Sequence, residues 1–155
     1  MMDGPPALQF LITPEETLIL NAYRDLRRVH TDGKPRPSQD ERWPPTTWGD
    51  SIGRWEGDTL VIDTIDVRAP REYLGLAVPL STQAHYTKRL RKAGPDRIEG
   101  EMTIEDPATP AKPWTVELAY VLLPDTDRMV LDSYSNNRTG FEAEVNTIEP
   151  PTPQR

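Results

Sequence analysis

The stretch Ser51-Ile52-Gly53-Arg54-Trp55-Glu56-Gly57-Asp58-Thr59-Leu60-Val61-Ile62-Asp63 decides the fold. Two β-prone runs, Ser51 to Glu56 and Thr59 to Asp66, flank Gly57-Asp58, a dipeptide suited to a two-residue hairpin turn. In the second run Leu60 and Ile62 point to one face, while Val61 and Ile65 point to the other with Asp63 between them. A strand that is apolar on both faces belongs in the middle of a sheet. Gly53 reads as a bulge or close-approach glycine and Gly57 as the turn glycine.

Toward the N-terminus, Leu8 to Ile12 and Thr17 to Tyr23 read as a hairpin around Thr13-Pro14-Glu15-Glu16. A helix starting at Pro14, with Thr13 as cap and Glu16 closing a capping box, is the competing reading. Leu26 to Thr31 continues extended and stops at the turn Asp32-Gly33. From Lys34 to Asp50 there is no periodicity, and Pro35, Pro37, Pro44 and Pro45 forbid a regular element in this long loop, which carries Trp43 and Trp48.

Toward the C-terminus, Arg68 to Leu80 reads as a second irregular connection. Ile98, Gly100, Met102 and Ile104 then alternate with Arg97, Glu99, Glu101 and Thr103, opposite a strand in which Ala84, Tyr86 and Leu90 share the apolar face. Pairing Leu90 with Ile98 sets Tyr86 against Met102, Arg89 against Glu99 and His85 against Thr103, around a turn of Lys92-Ala93-Gly94-Pro95-Asp96. Trp114 to Leu122 and Arg128 to Tyr134 read as a last hairpin, and the tail 142–155 as a frayed end of a single domain spanning 1–155.

The sum is about nine short strands joined mostly as hairpins. The predicted class is all-β: an antiparallel meander closed into a lipocalin-like barrel, which removes exposed edges, with a two-sheet sandwich as the alternative.

The bulk numbers narrow the function classes. The chain has 155 residues and no cysteine, which excludes a disulfide scaffold, a thiolate nucleophile and a cysteine-ligated metal. Its 18 Lys and Arg against 25 Asp and Glu give a net charge of −7, which repels nucleic-acid phosphate and anionic lipid. The 17 prolines fit short strands and stiff loops. No stretch is long and apolar enough for a membrane span, and the start Met-Met-Asp-Gly-Pro-Pro has no apolar core of a secretory signal, so the chain as written reads as cytoplasmic.

No phosphate loop, dinucleotide fingerprint, nucleophile elbow or zinc-binding helix occurs, so neither a cofactor nor a metal is expected. His85 is the first candidate for acid–base work, since a histidine held by a carboxylate titrates near neutral pH. Its competing role is an ordinary solvated face. Asp63, set among Val61 and Ile65, must be paired or protonated, and either catalysis or a structural pairing with Arg54 would satisfy it. His30 stands at the mouth of the proline-rich loop, as a binding residue or a turn histidine. Arg54 and Arg89 are candidates to stabilise developing negative charge. Trp48, Trp55, Tyr86 and Tyr134 are candidate ligand contacts, and core filling is the competing role for Trp48, Trp55 and Trp114.

At Asp32-Gly33-Lys34-Pro35, from Ser51 to Thr64, and at Lys112-Pro113-Trp114-Thr115, the chain resembles a family of uncharacterised bacterial proteins. Their recurring patterns are D-G-[RK]-P, S-I-G-R-W-E-G-D-T-L-V-V-D-T and K-P-W-T. The likeness runs from about Leu8 to Arg138 and implies membership without an activity. Members often carry an export signal, so the resemblance implies an exported precursor where the reading of the N-terminus does not. Members also often carry an acidic residue before the arginine that matches Arg89, where this chain has Lys88.

Together these features predict a small-molecule-binding β-barrel, a monomer or homodimer. In the leading expectation it is a cofactor-independent lyase, isomerase or cyclase acting on a largely apolar substrate. His85 would be acid or base, and Asp63 or His30 its partner. The alternatives are a non-catalytic carrier, and a protein-interaction domain using Trp43 and Trp48.

Overall fold

The computed structural model describes residues 7–21, 26–42, 44–68, 80–108 and 112–124. The expected strand Arg128–Tyr134, the tail 142–155, most of the second connection, Trp43 and Tyr134 lie outside the described residues.

Among the described residues eight strands form one sheet in sequence order: β1 Leu8–Ile12, β2 Glu16–Asn21, β3 Leu26–His30, β4 Asp50–Glu56, β5 Thr59–Ile65, β6 His85–Gly94, β7 Arg97–Glu105 and β8 Trp114–Val121. The N-terminal hairpin is β structure, not a helix from Pro14: the Thr13 hydroxyl donates to the Glu16 carbonyl and accepts from its N–H, so the capping geometry closes a turn. A single 3-10 turn, Gln39–Glu41, interrupts the long loop.

Every neighbouring pair is antiparallel except β3 and β4, which meet in parallel at His30 and Ile52. The sheet is therefore all-β and mixed, where the expectation was an antiparallel meander. The 31–49 segment is too long for a hairpin and brings β4 in alongside β3, running in the same direction.

The sheet is curled into a half-barrel. Phe10 of β1 and Tyr120 of β8, on its two outermost strands, pack edge to face with ring centroids 5.4 Å apart. The concave face carries the core. Val29, Leu60, Ile62 and Leu90 form one buried cluster with Phe10, Ile19, Ile98, Leu118 and Tyr120 against it, and Val67, Ala84, Tyr86, Met102 and Ile104 form a second. Val61, on the opposite face of β5, is also buried, as a central strand apolar on both sides requires.

Arg27 is buried on the concave side. Its Nε and Nη2 donate to the Ser51 hydroxyl at 3.3 and 3.2 Å, and Nη2 donates to Thr64 Oγ1 at 2.6 Å. These contacts tie β3, β4 and β5 together.

The β4–β5 hairpin has the predicted register, Trp55 opposite Leu60 and Gly53 opposite Ile62. Gly57 has φ +64°, as the first central position of a tight hairpin turn demands. A Cβ on Gly53 would lie 2.8 Å from Val29 Cγ1, so glycine there lets β3 approach β4 closely.

The β6–β7 register differs from the expected one by two residues. Leu90 faces Gly100, Tyr86 faces Ile104, Arg89 faces Glu101 and His85 faces Glu105. The strands run on to Gly94 and Arg97 with an irregularity between Lys92 and Gly94, so the connection is Pro95-Asp96 instead of five residues. A two-residue shift leaves every side chain on its predicted face.

Candidate functional site

The convex face carries a histidine–carboxylate pair. Asp63 lies opposite Thr87 on β6, and His85, two residues earlier on the same face, reaches diagonally to it. His85 Nε2 is 2.5 Å from Asp63 Oδ2. The other Asp63 oxygen accepts from Arg36 Nη2 at 2.7 Å, and the same nitrogen donates to the Asp63 carbonyl at 3.0 Å.

Around this pair the charges alternate. Arg36 Nε is 3.5 Å from Asp50, Asp50 is 3.9 Å from Arg42, and Arg42 is 3.0 Å from Asp66, which adopts φ +57° at the end of β5. On the far side His85 Nδ1 lies 3.9 Å from Glu105. The loop thus delivers Arg36 to a carboxylate on the central strand. The flanking Pro35 and Pro37 stiffen that arginine's backbone.

Burial alone would raise the Asp63 pKa, but hydrogen bonds from Arg36 and His85 outweigh it and hold the carboxyl below its usual range. An ionised Asp63 can only accept, so the His85 tautomer that suits this contact carries its hydrogen on Nε2 and donates it as a hydrogen bond. The entry to β6 is anchored as well: Asp106, just beyond β7, accepts from the Ser81 N–H at 2.6 Å, the Ser81 hydroxyl at 2.7 Å and the Ala108 N–H at 3.0 Å. Burial opposes that ionisation, yet these bonds lower the Asp106 pKa.

Among the described residues singled out by sequence, the structure brings His85 and Asp63 into direct contact. Arg54 does not pair with Asp63. Arg54 and Arg89 both bind Glu56, Arg54 through Nη2 at 2.7 Å and Arg89 through Nη2 at 2.7 Å. Those two contacts lower the Glu56 pKa, the Arg89 bond first. Arg89 shares a face with His85 and Thr87 but turns to Glu56. His30, on β3, is exposed and two strands from Asp63 across Ile52, roughly 10 Å by strand spacing.

Tyr86 is fully buried in the core, so it is no ligand contact at a surface. Trp55 and Trp114 are 43% and 41% exposed, which corrects their expected role as core fillers. Arg36 is the residue that sequence reading missed. Its only signal is its place between two prolines, just after the Asp32-Gly33 turn.

Besides a recess of about 670 Å³ lined by Arg89, Glu99 and Glu117, two others complete the picture. A cleft of about 630 Å³ opens where β3 and β4 splay beyond their single contact, walled by Arg28, His30, Arg42, Trp48, Asp50 and Asp66. A groove of about 490 Å³ lies at one mouth of the concave face, lined by Phe10, Trp55, Leu60, Leu90, Ile98 and Tyr120. Neither is lined by His85 or Asp63. Among the described residues no cluster of three His, Asp or Glu is placed to hold a metal, and no helix is long and apolar enough to cross a membrane. Compared with family models, curated proteins and solved structures, the chain matches none.

Proposed function

We propose that this protein binds a small, largely apolar organic molecule in the concave groove, and that its sheet completes a lipocalin-like barrel with the groove as the mouth. The observation that carries this reading is the lining. Phe10, Trp55, Leu60, Leu90, Ile98 and Tyr120 come from six different strands and converge on one recess. Its volume lies within the usual span for small-ligand sites, and its floor is continuous with the core. The Phe10–Tyr120 contact supports closure, because it brings the first and last strands of the sheet together.

The test is thermal denaturation of the full chain titrated with decanol. A ligand bound only by the folded state raises Tm by mass action, and the rise continues with ligand concentration once the site is full. No shift at any soluble concentration sinks the proposal.

One observation favours a second reading, a cofactor-independent acid–base enzyme of lyase, isomerase or cyclase type. It is the His85–Asp63 contact, with Arg36 fixing the carboxylate and the imidazole 36% exposed. In that reading His85 moves the proton and Asp63 holds its ring; Arg36 is a positioning residue acting through Asp63. The substrate reaches His85 from the convex side. Turnover of an identified substrate that survives His85→Gln would remove this reading.

A further inference from the structure

We infer that the ligand of the concave groove is an amphipathic organic anion: an alkyl or aryl tail on the apolar wall, and a carboxylate or similar head group at Lys92. The inference rests on the groove reading above and adds the chemistry of the head group.

Lys92 is the last residue of the inward-facing series Tyr86, Lys88, Leu90 and Lys92 on β6, before the irregularity that leads to Gly94. It pairs in register with Ile98, and both line the groove. The ammonium therefore stands where the apolar wall meets water. Among the described residues no carboxylate forms an ion pair with it.

Arg91 and Arg97 stand beside it on the rim, and their shared partner, Glu99, lines the opposite, convex side at 3.6 and 2.6 Å from them. Two carboxylates, Asp58 and Asp96, also line the groove, and Asp58 accepts from the Thr59 hydroxyl at 3.3 Å. Glu99 pairs with both arginines, so of the three cations lining the groove Lys92 is the one with no ion pair among the described residues. A head group here meets Lys92 while its tail covers Leu90 and Trp55. That is the arrangement an anionic amphiphile needs and a neutral one leaves unused.

The experiment compares decanoate, decanol and decylamine on the full chain by calorimetric titration at mildly alkaline pH, for the wild type and Lys92→Gln. Lys92 is exposed, so the substitution leaves the core intact. Decanoate is expected to bind about two- to five-fold more tightly than decanol, the worth of one exposed ion pair. That margin shrinks at high salt, and in Lys92→Gln decanoate and decanol bind alike. Equal affinity for decanoate and decanol in the wild type overturns the head-group inference and leaves the groove reading standing. Preference for decylamine overturns it too, and assigns the mouth to Asp58 and Asp96. Binding of none of the three removes both.

Discussion

One carboxylate, Asp63, receives the Arg36 guanidinium on one oxygen and the His85 ring on the other. Replacing it with Asn keeps the shape but removes the charge that both partners face, leaving Arg36, 16% exposed, beside an amide. Asp63→Asn is expected to cost about 1–3 kcal/mol at neutral pH, measured by denaturant unfolding. The cost depends on pH with a definite sign. Because the folded-state pKa lies below the ordinary 3.8, the stabilisation from Asp63 is complete above that value and is lost as the pH falls through the folded pKa. The gap between wild type and variant should therefore close in acid, as the pH falls through the folded-state pKa of Asp63. A gap that persisted undiminished into strong acid would show that Asp63 is not held ionised. Strand alternation alone marked Asp63 as a carboxylate needing a partner. The sequence offers His85 and Arg54 as its candidate partners; Arg36 is not legible, because it arrives from a loop whose path is set by tertiary packing and not by any local pattern.

At the level of elements, the two glycines of the β4–β5 hairpin do different work, and substitution separates them. Gly57 has open space around its missing Cβ and a left-handed φ, so Gly57→Asn is expected to cost less than about 1 kcal/mol, since asparagine tolerates that conformation. Gly53 has no such φ but faces Val29 Cγ1 at 2.8 Å and Thr31 Cγ2 at 3.0 Å, so Gly53→Ala pushes β3 away from β4 and should cost about 1–3 kcal/mol. Chemical denaturation of the two variants checks the order, and the reverse order would mean that turn strain, not strand approach, limits this hairpin. The same contrast explains which elements were legible. The hairpin's register follows from a turn two residues long, and Gly57-Asp58 marks that turn in the sequence. The β6–β7 pair was placed on the right faces but two residues off, because alternation is blind to an even slip and the extension to Gly94 only emerges when the strands pair. The parallel contact of β3 with β4 had no local signature at all, since it depends on where the 31–49 segment returns the chain.

For the molecule as a whole, the decisive fact is that the sheet separates the apolar groove from the His85–Asp63 pair. Alternation along β5 and β6 sends Leu60 and Leu90 inward to the groove and Asp63 and His85 outward to the ion-pair chain. The sequence placed these residues on opposite faces, yet a single internal pocket holding both an apolar ligand and His85 was expected. That expectation treated the polar face as the lining of a lumen, and the direction in which a sheet curls is set by which face buries more apolar surface. Here the concave side is the one with Val29, Leu60, Ile62 and Leu90. A ligand on that side touches neither member of the pair, so the two sites should respond to mutation independently. Trp55→Ala is expected to weaken decanol binding by about 1–2 kcal/mol, roughly ten-fold, because it removes a large aromatic wall of the groove. His85→Gln should change the same affinity by less than about two-fold. Calorimetric titration of both variants and of their combination measures this directly. A His85→Gln effect as large as that of Trp55→Ala, or strong non-additivity between them, would mean that the sheet transmits ligand binding to the convex face and that the pair and the groove form one site.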